Sequence, residues 1–415
     1  MKYSSLGTIT PVALAALLAF TTAAGAQEII KMGALATLEG NFTAVGQDGM
    51  RGVELALRER NYMAGGKKIE LIKASSNGKP DSAISAARKL VEQDMVQILV
   101  GPLSGSEGIA VKDYAKTHPG VTFMNGTSAA QETTLKSPAP NFFRFSMDGA
   151  QWMAGLGGHA YAKGYKNVVV VAEDYAFPYS QVQGFMAEFC KAGGKVLDKQ
   201  WVPLGTKDYS SVIAKIPANI DAIFVALGGA DAVNFLSQYE QTGGVKPLIG
   251  GTIMVDQSVL AYKGKARDAL VGTPSAGPIA DGASDPSWKK FVADYKAAFK
   301  DGFPSPTSFA QGYYANTKAV LDALDAVKGD LSNNHDALRK TLTSMTLKSP
   351  TGDIKLDANR NAVANNYLTE VAKAPDGALY NKLVKVIPNV SQTLGMSQAE
   401  FDKMGLGSRT NPECK

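Results

Sequence analysis

The apolar positions of this chain fall into short unbroken runs, and longer amphipathic stretches separate them. Ile29 to Leu35, QILVG (97–101), VTFM (121–124), VVVVAE (168–173), AIFVAL (222–227) and PLIG (247–250) read as buried strands, while 68–73 and 195–202 alternate in the manner of half-exposed ones. Between them the period changes to that of a helix. Residues 43–60 place Val53, Ala56, Leu57 and Arg60 at helical spacing, and Pro80 and Asp81 open a segment with Ile84, Ala87 and Val91 on one face. Further helices are predicted over 107–117, 150–163, 179–192, 209–216 and 232–242. Strands alternating with helices imply parallel sheets, and right-handed crossovers place the helices on both faces. The rhythm breaks once, at Pro140-Asn141-Phe142-Phe143-Arg144-Phe145, and then resumes. The expected class is therefore α/β, with two doubly wound parallel-sheet lobes.

A Pro/Gly/Ser-rich stretch, VGTPSAGPIADGASDP (271–286), marks a boundary. Helices over 288–299, 308–327 and 335–345 follow, then strand material at 352–356 and 367–371. Those helices have no sheet of their own, so they are expected to cover the first module, with the last strands rejoining the second. This gives lobe 1 as 27–143 plus 275–349 and lobe 2 as 144–274 plus 350–415. The chain then crosses three times, near Phe143, Thr273 and Pro350, and so builds a hinge.

Composition adds the compartment. Lys2, the apolar stretch Val12 to Phe20 and Ala24-Gly25-Ala26 form a cleavable signal peptide over 1–26. That stretch is shorter than the roughly 20 residues of a membrane span. An exported periplasmic protein is expected, in which Cys190 and Cys414 are either bridged or free thiols. The net charge of +5 is spread along the chain, which argues against a nucleic-acid partner. Two cysteines and three scattered histidines (His118, His159, His335) fit no metal spacing, and no cofactor motif is present. Gly155 to Ala160 matches a dinucleotide pattern but precedes its strand instead of following it.

The candidate chemistry lies in five turns that follow the buried runs: Pro102 to Ser106, Asn125 to Ser128, Tyr175 to Pro178, Gly228 to Asp231, and Gly251 to Met254. In parallel sheets these sit at the carboxyl ends of strands, where open α/β folds bind small molecules. None holds a nucleophile with its base, so capture of a solute is expected in place of catalysis. Ser104, Gly105 and Ser106 precede a helix whose free N–H groups attract an anion, although Ser106 also reads as a plain N-cap. Thr127 and Ser128 are ligand contacts or turn formers. Phe42, Tyr175, Phe177 and Met254 offer apolar surface for a ring. Asp231 reads as an N-cap or a site acid, and Trp152 and Trp288 as packing residues of their helices.

The series IKMGALATLEGNFTAVGQDGMRGVELAL, ILVGPLSGSE, FMNGTSAAQETT, VVVVAEDYAFPYSQ and FVALGG resembles the type I periplasmic solute-binding proteins, in particular the leucine/isoleucine/valine-binding branch that feeds ABC importers. The resemblance implies two lobes that close on one ligand, an ABC permease with separate ATPase subunits as partners, and a monomer; a sensor for a membrane receptor is the alternative role. It implies that Leu103, Ser104 and Gly105, with Thr127, Ser128 or Ala129, hold a carboxylate, and that Phe177 closes over the ligand. Ala230 falls near another aromatic position. Thr252 falls where amino-acid-binding relatives carry a Glu that neutralises the ligand's ammonium group. Leaving a buried ammonium unpaired costs several kcal/mol. Either Asp231 or Asp174 substitutes, or the ligand is an aromatic or other carboxylate without an amine.

Overall fold

The first run of alternating segments forms one sheet and the second run another. The computed structural model describes residues 28–414; the expected signal peptide lies outside the described residues. Strands β1 (Ile29–Thr37), β2 (Met63–Ala64), β3 (Lys67–Ser76), β4 (Ile98–Val100), β5 (Thr122–Met124) and β6 (Phe142–Phe143) order as β2-β3-β1-β4-β5-β6. All pairs are parallel except the short β2–β3 hairpin. The second sheet holds β7 (Asn167–Glu173), β8 (Lys195–Val202), β9 (Ala222–Ala226), β10 (Leu248–Gly250), β11 (Pro274–Gly277), β12 (Leu347–Ser349), β13 (Gly352–Leu356), β14 (Ala362–Lys373) and β15 (Leu379–Val390). Its order is β12-β13-β14-β11-β10-β9-β7-β8, with β15 on β14. Strands β7 to β11 run parallel, whereas β14 and β15 are antiparallel additions. The molecule is thus an α/β protein of two lobes.

Helices Pro286–Ala298, Ser308–Ala326 and Ser332–Ser344 return to the first lobe. The helix Ser308–Ala326 is buried on nearly all sides and lies tight against the helix Thr43–Arg58. A Cβ on Gly52 would come within 2.2 Å of the Ala310 carbonyl oxygen, so only glycine permits this approach.

The structure alters several expectations. Residues 275–277 and 347–349, assigned to the first lobe by sequence, are strand residues of the second sheet. The segment Pro-Ser-Ala-Gly of β11 carries no β-branched residue, which hid the strand. The helix expected over 150–163 is a short 3-10 turn, Gln151–Met153, followed by Leu156–Ala162, because Gly155 turns left-handed at φ +87°. The helix expected from 179 begins at Ala176, with Pro178 tolerated in its first turn.

The three crossings between lobes run from β6 to Leu156, from β11 to Pro286, and from Ser344 to β12. Arg144, fully buried at the first, ties the lobes together. Its Nε donates to Asn361 Oδ1 at 2.6 Å, and its other nitrogens donate to Ala130 O at 2.7 Å and Thr134 Oγ1 at 2.6 Å. Cys190 and Cys414 form a disulfide that holds the C-terminal tail on the second lobe. Lys199 Nζ donates to Thr410 O at 2.7 Å, and Trp201 Nε1 to Arg409 O at 3.0 Å. Among the described residues no helix is long and apolar enough to cross a membrane.

Candidate functional site

The carboxyl ends of the strands from both sheets converge on a narrow cavity of about 10 Å³, room for about one water. Phe42, on the turn after β1, and Leu103, Ser104 and Gly105, after β4, line it from the first lobe, joined by Thr127 after β5. Tyr175 and Phe177, at the start of the helix Ala176–Lys191, line it from the second. The sequence pointed to all seven. Trp152, Ile253 and Phe309 complete the wall and were not expected there. Trp152 sits in the short 3-10 turn that precedes the break at Gly155. Its ring meets Phe177 edge-on at 5.5 Å. Phe42 and Phe177 each lie 6.3 Å from Tyr175, so the rings form a continuous surface.

The lobes touch across this cleft. A Cβ on Gly105 would lie 2.8 Å from Phe177 Cβ and 2.9 Å from Phe177 N. Asp231 N donates to Asn41 Oδ1 at 3.1 Å, and Gln131 N to Ser180 Oγ at 3.0 Å.

The polar atoms of the wall divide into committed and free. Ser104, not Ser106, is the N-cap of the helix Gly105–Ala115. Its Oγ accepts from Glu107 N at 3.4 Å and donates to Gly78 O at 3.0 Å, while Glu107 Oε2 accepts from Ser104 N at 3.0 Å. Ser106 is half-buried and outside the lining. Thr127 Oγ1 and Trp152 Nε1 are buried with no protein partner. Both can donate, and the cavity lies at the amino end of a helix, which favours negative charge. No lysine, arginine, aspartate or glutamate lines it.

The other candidates face elsewhere. Ser128 Oγ packs so closely on Gly108 that a Cβ there would lie 1.7 Å away. Ala129 is buried in the core, and its carbonyl accepts from Gly149 N at 2.7 Å. Ala230 is exposed and Met254 is buried in the second-lobe core. Thr252 Oγ1 donates to Ala276 O at 2.7 Å and accepts from Gln181 Nε2 at 2.9 Å. Asp174 is taken by Arg409 and the Tyr179 hydroxyl, which removes it as a partner for a ligand ammonium.

Asp231 is buried beside Glu173, the last residue of β7, and forms an acid pair with it. Asp231 Oδ2 accepts from Gly205 N at 2.7 Å, and Glu173 Oε1 from Gly228 N at 3.0 Å. The Tyr175 hydroxyl lies next to Glu173. Burial, then the Asp231 charge, pushes the Glu173 carboxyl well above the usual range, and burial pushes Asp231 up to about 6. Raised folded-state values mean that the native protein holds protons the unfolded chain releases. The resulting stability is complete below the unfolded values near 4 and is lost as pH rises through 6 and beyond. Urea unfolding should give a larger free energy at pH 5 than at pH 8, and Glu173→Gln should flatten that slope. An unchanged slope in the variant would separate the pair from the effect.

The chain is similar to known proteins over most of its length. The model of the periplasmic binding protein family matches residues 29–377. The Leu/Ile/Val-binding protein homolog 6 of Brucella melitensis biotype 1 is 26% identical over 388 residues, covering 90% of this chain and 96% of that protein. An ABC transporter substrate-binding protein from Sphaerobacter thermophilus superposes with a TM-score of 0.79 at 29% identity, covering 88% of this chain and 99% of the other. A solute-binding protein of an ABC transporter from Rhodopseudomonas palustris BisB5, solved with 3,4-dihydroxybenzoic acid, gives 0.80 at 26% identity, covering 88% and 98%.

Proposed function

The chain belongs to the periplasmic binding protein family, and on that premise we propose that it captures an aromatic carboxylate lacking an amine and delivers it to an ABC importer. The family consists of transporter binding components and not of enzymes. In this reading the first 26 residues are removed on export, and the mature protein works as a monomer in the periplasm beside a permease and its ATPase subunits. The closing bodies are residues 28–143 with the helices of 286–344, and residues 144–277 with 347–414.

The observation that carries the ligand class is the makeup of the wall. Five aromatic side chains (Phe42, Trp152, Tyr175, Phe177 and Phe309) enclose the cavity, two free donors remain, and no carboxylate faces it. As the side chains stand the space holds about one water; with the lobes parted a ring enters between the aromatic faces, and its carboxylate takes the Thr127 hydroxyl and the Trp152 N–H. An ammonium group finds no counter-charge there, because Thr252 is bonded away from the cavity and Asp174 is paired. The benzoate-class ligand of the Rhodopseudomonas neighbour agrees with this choice. The second reading, an amino acid, draws on the acid pair Glu173 and Asp231 behind Tyr175.

Calorimetric titration of protein refolded to remove carried-over ligand tests the proposal, using benzoate, 4-hydroxybenzoate, leucine and phenylalanine. The amine-free acids should bind and leucine should not. Trp152→Phe keeps a ring and removes the donor. It should weaken benzoate binding about tenfold to a hundredfold, the worth of one hydrogen bond to a charged group. Tight leucine binding would transfer the assignment to the acid pair.

A further inference from the structure

A second narrow cavity of about 10 Å³ is lined by chain neighbours of residues that line the first. Its wall comes from the turn after β10 (Thr252, Asp256), from β11 (Ser275) and from Asp281, Asn381 and Ser308. No residue lines both cavities. Ile253 and Phe309 face the aromatic chamber, while their chain neighbours Thr252 and Ser308 face this one.

The chemistry here is the reverse of the aromatic chamber's. Two carboxylates line it, and no lysine, arginine or histidine does. Asp256 Oδ1 accepts from Ser258 N at 3.2 Å, and its Oδ2 from Ser308 N at 3.1 Å and Ser308 Oγ at 2.9 Å. Asp281 Oδ2 accepts from Gln257 Nε2 at 2.7 Å and Asn381 N at 2.9 Å. Lys296 acts on Asp281 only from outside the wall, and Ser305 approaches from one side. Two buried oxygens remain without a protein partner, Asn381 Oδ1 and Ser275 Oγ, and Asp281 Oδ1 has only the Ser305 hydroxyl near it. Ser275 is 1% exposed and Asn381 7% exposed. Asn381 has its amide nitrogen fixed on Val255 O at 2.7 Å, so its free oxygen cannot be exchanged for a donor. Carboxylate and amide oxygens only accept. A pocket rich in acceptors, with the carboxylates of the buried Asp256 and the half-buried Asp281 in its wall, favours a positive guest.

We infer that this chamber is a hard-cation site, suited to calcium, with Asp256, Asp281, Asn381 and Ser275 supplying the oxygens. Hard cations of this kind take oxygen ligands from carboxylates, amides and hydroxyls. A ligand ammonium is the weaker fit, because Ile253 and Phe309 separate this chamber from the one that holds the ring. The cation would fix Asp256, which grips Ser308 of the opposite lobe, and so would brace the wall behind the ligand.

The test is thermal unfolding of full-length mature protein stripped with chelator, without any organic ligand, in the presence of CaCl2, MgCl2 or NaCl, together with calorimetric titration of CaCl2. We expect calcium to raise the Tm saturably by at least about 3 °C, and Asp281→Asn to abolish that shift. Asn381→Ala, which leaves both carboxylates in place, should weaken calcium at least tenfold and serves if Asp281→Asn fails to fold. No shift with any of the three salts overturns the site, as does an unchanged response in both variants. Loss of phenylalanine affinity in Asp281→Asn without cation binding would overturn it in favour of a ligand ammonium. Benzoate affinity is read separately, so failure here leaves the aromatic assignment standing.

Discussion

Gly105→Ala should weaken binding of the ring carboxylate tenfold to a hundredfold while leaving the Tm of the ligand-free protein nearly unchanged. The new Cβ would lie 2.8 Å from Phe177 Cβ and 2.9 Å from Phe177 N, both on the opposite lobe. Outside its own helix, the nearest atom of its own lobe is Ala130 Cβ, at 3.2 Å, a contact a small shift relieves. Gly105 is also the first residue of its helix, where alanine is well accommodated. The strain therefore falls on the closed arrangement alone. Overpacking of this kind costs about 1–3 kcal/mol, and ligand contacts made only on closure lose that amount. Calorimetry with benzoate, paired with thermal unfolding of the free protein, reads the two quantities. Wild-type affinity would mean that Gly105 and Phe177 do not meet in the bound protein.

The largest loss of stability is expected from Arg144→Met. Arg144 is buried beside Asp148 at 3.8 Å, and its other contacts satisfy Ala130 O, Thr134 Oγ1 and Asn361 Oδ1. Methionine fills much of the volume but leaves those acceptors and the Asp148 charge without their partner. Breaking one side of a buried pair costs on the order of 3–5 kcal/mol. Asp148 retains Gln392 Nε2 at 2.7 Å and the N–H groups of Ala150 and Gln151, which limit the damage. Adding Asp148→Asn should recover part of the loss, because the uncompensated charge disappears. Denaturant unfolding of the single and double variants gives the coupling directly. Additive losses would show that the two charges act independently.

The strands that frame the ligand chamber were legible because they are buried on both faces, and such strands read as unbroken apolar runs. The antiparallel β15 was not. Its sequence LYNKLVKVIPNV mixes Lys382 and Lys385 with Val384 and Val386, all on an exposed outer strand. The turns were legible as turns, but their facing was not. After β10, a 3-10 turn places Ile253 toward the ligand chamber while Met254 enters the core, a phase that hydropathy cannot fix. Phe309 escaped because it comes from a helix far along the chain, where no turn signal marks it. Glu173 was missed; an acid closing the buried run VVVVAE is the signal that could have found it, and its pairing with Asp231 needed the fold to bring β7 and β9 side by side.

The three crossings constrain the swing of the lobes as a door frame constrains a door. Two bodies on one flexible thread could twist, slide and separate, and a ligand joining them would have to arrest all of those motions. Chain passing between the lobes at 143–156, 277–286 and 344–347, with Arg144 and Asn361 bonded at the first crossing, restricts those motions. A guest that shuts the cleft therefore freezes little that was free, and the entropy lost on capture stays small. It also means that Phe177 meets Gly105 in the same register at each closing stroke, so a tight seal needs no search.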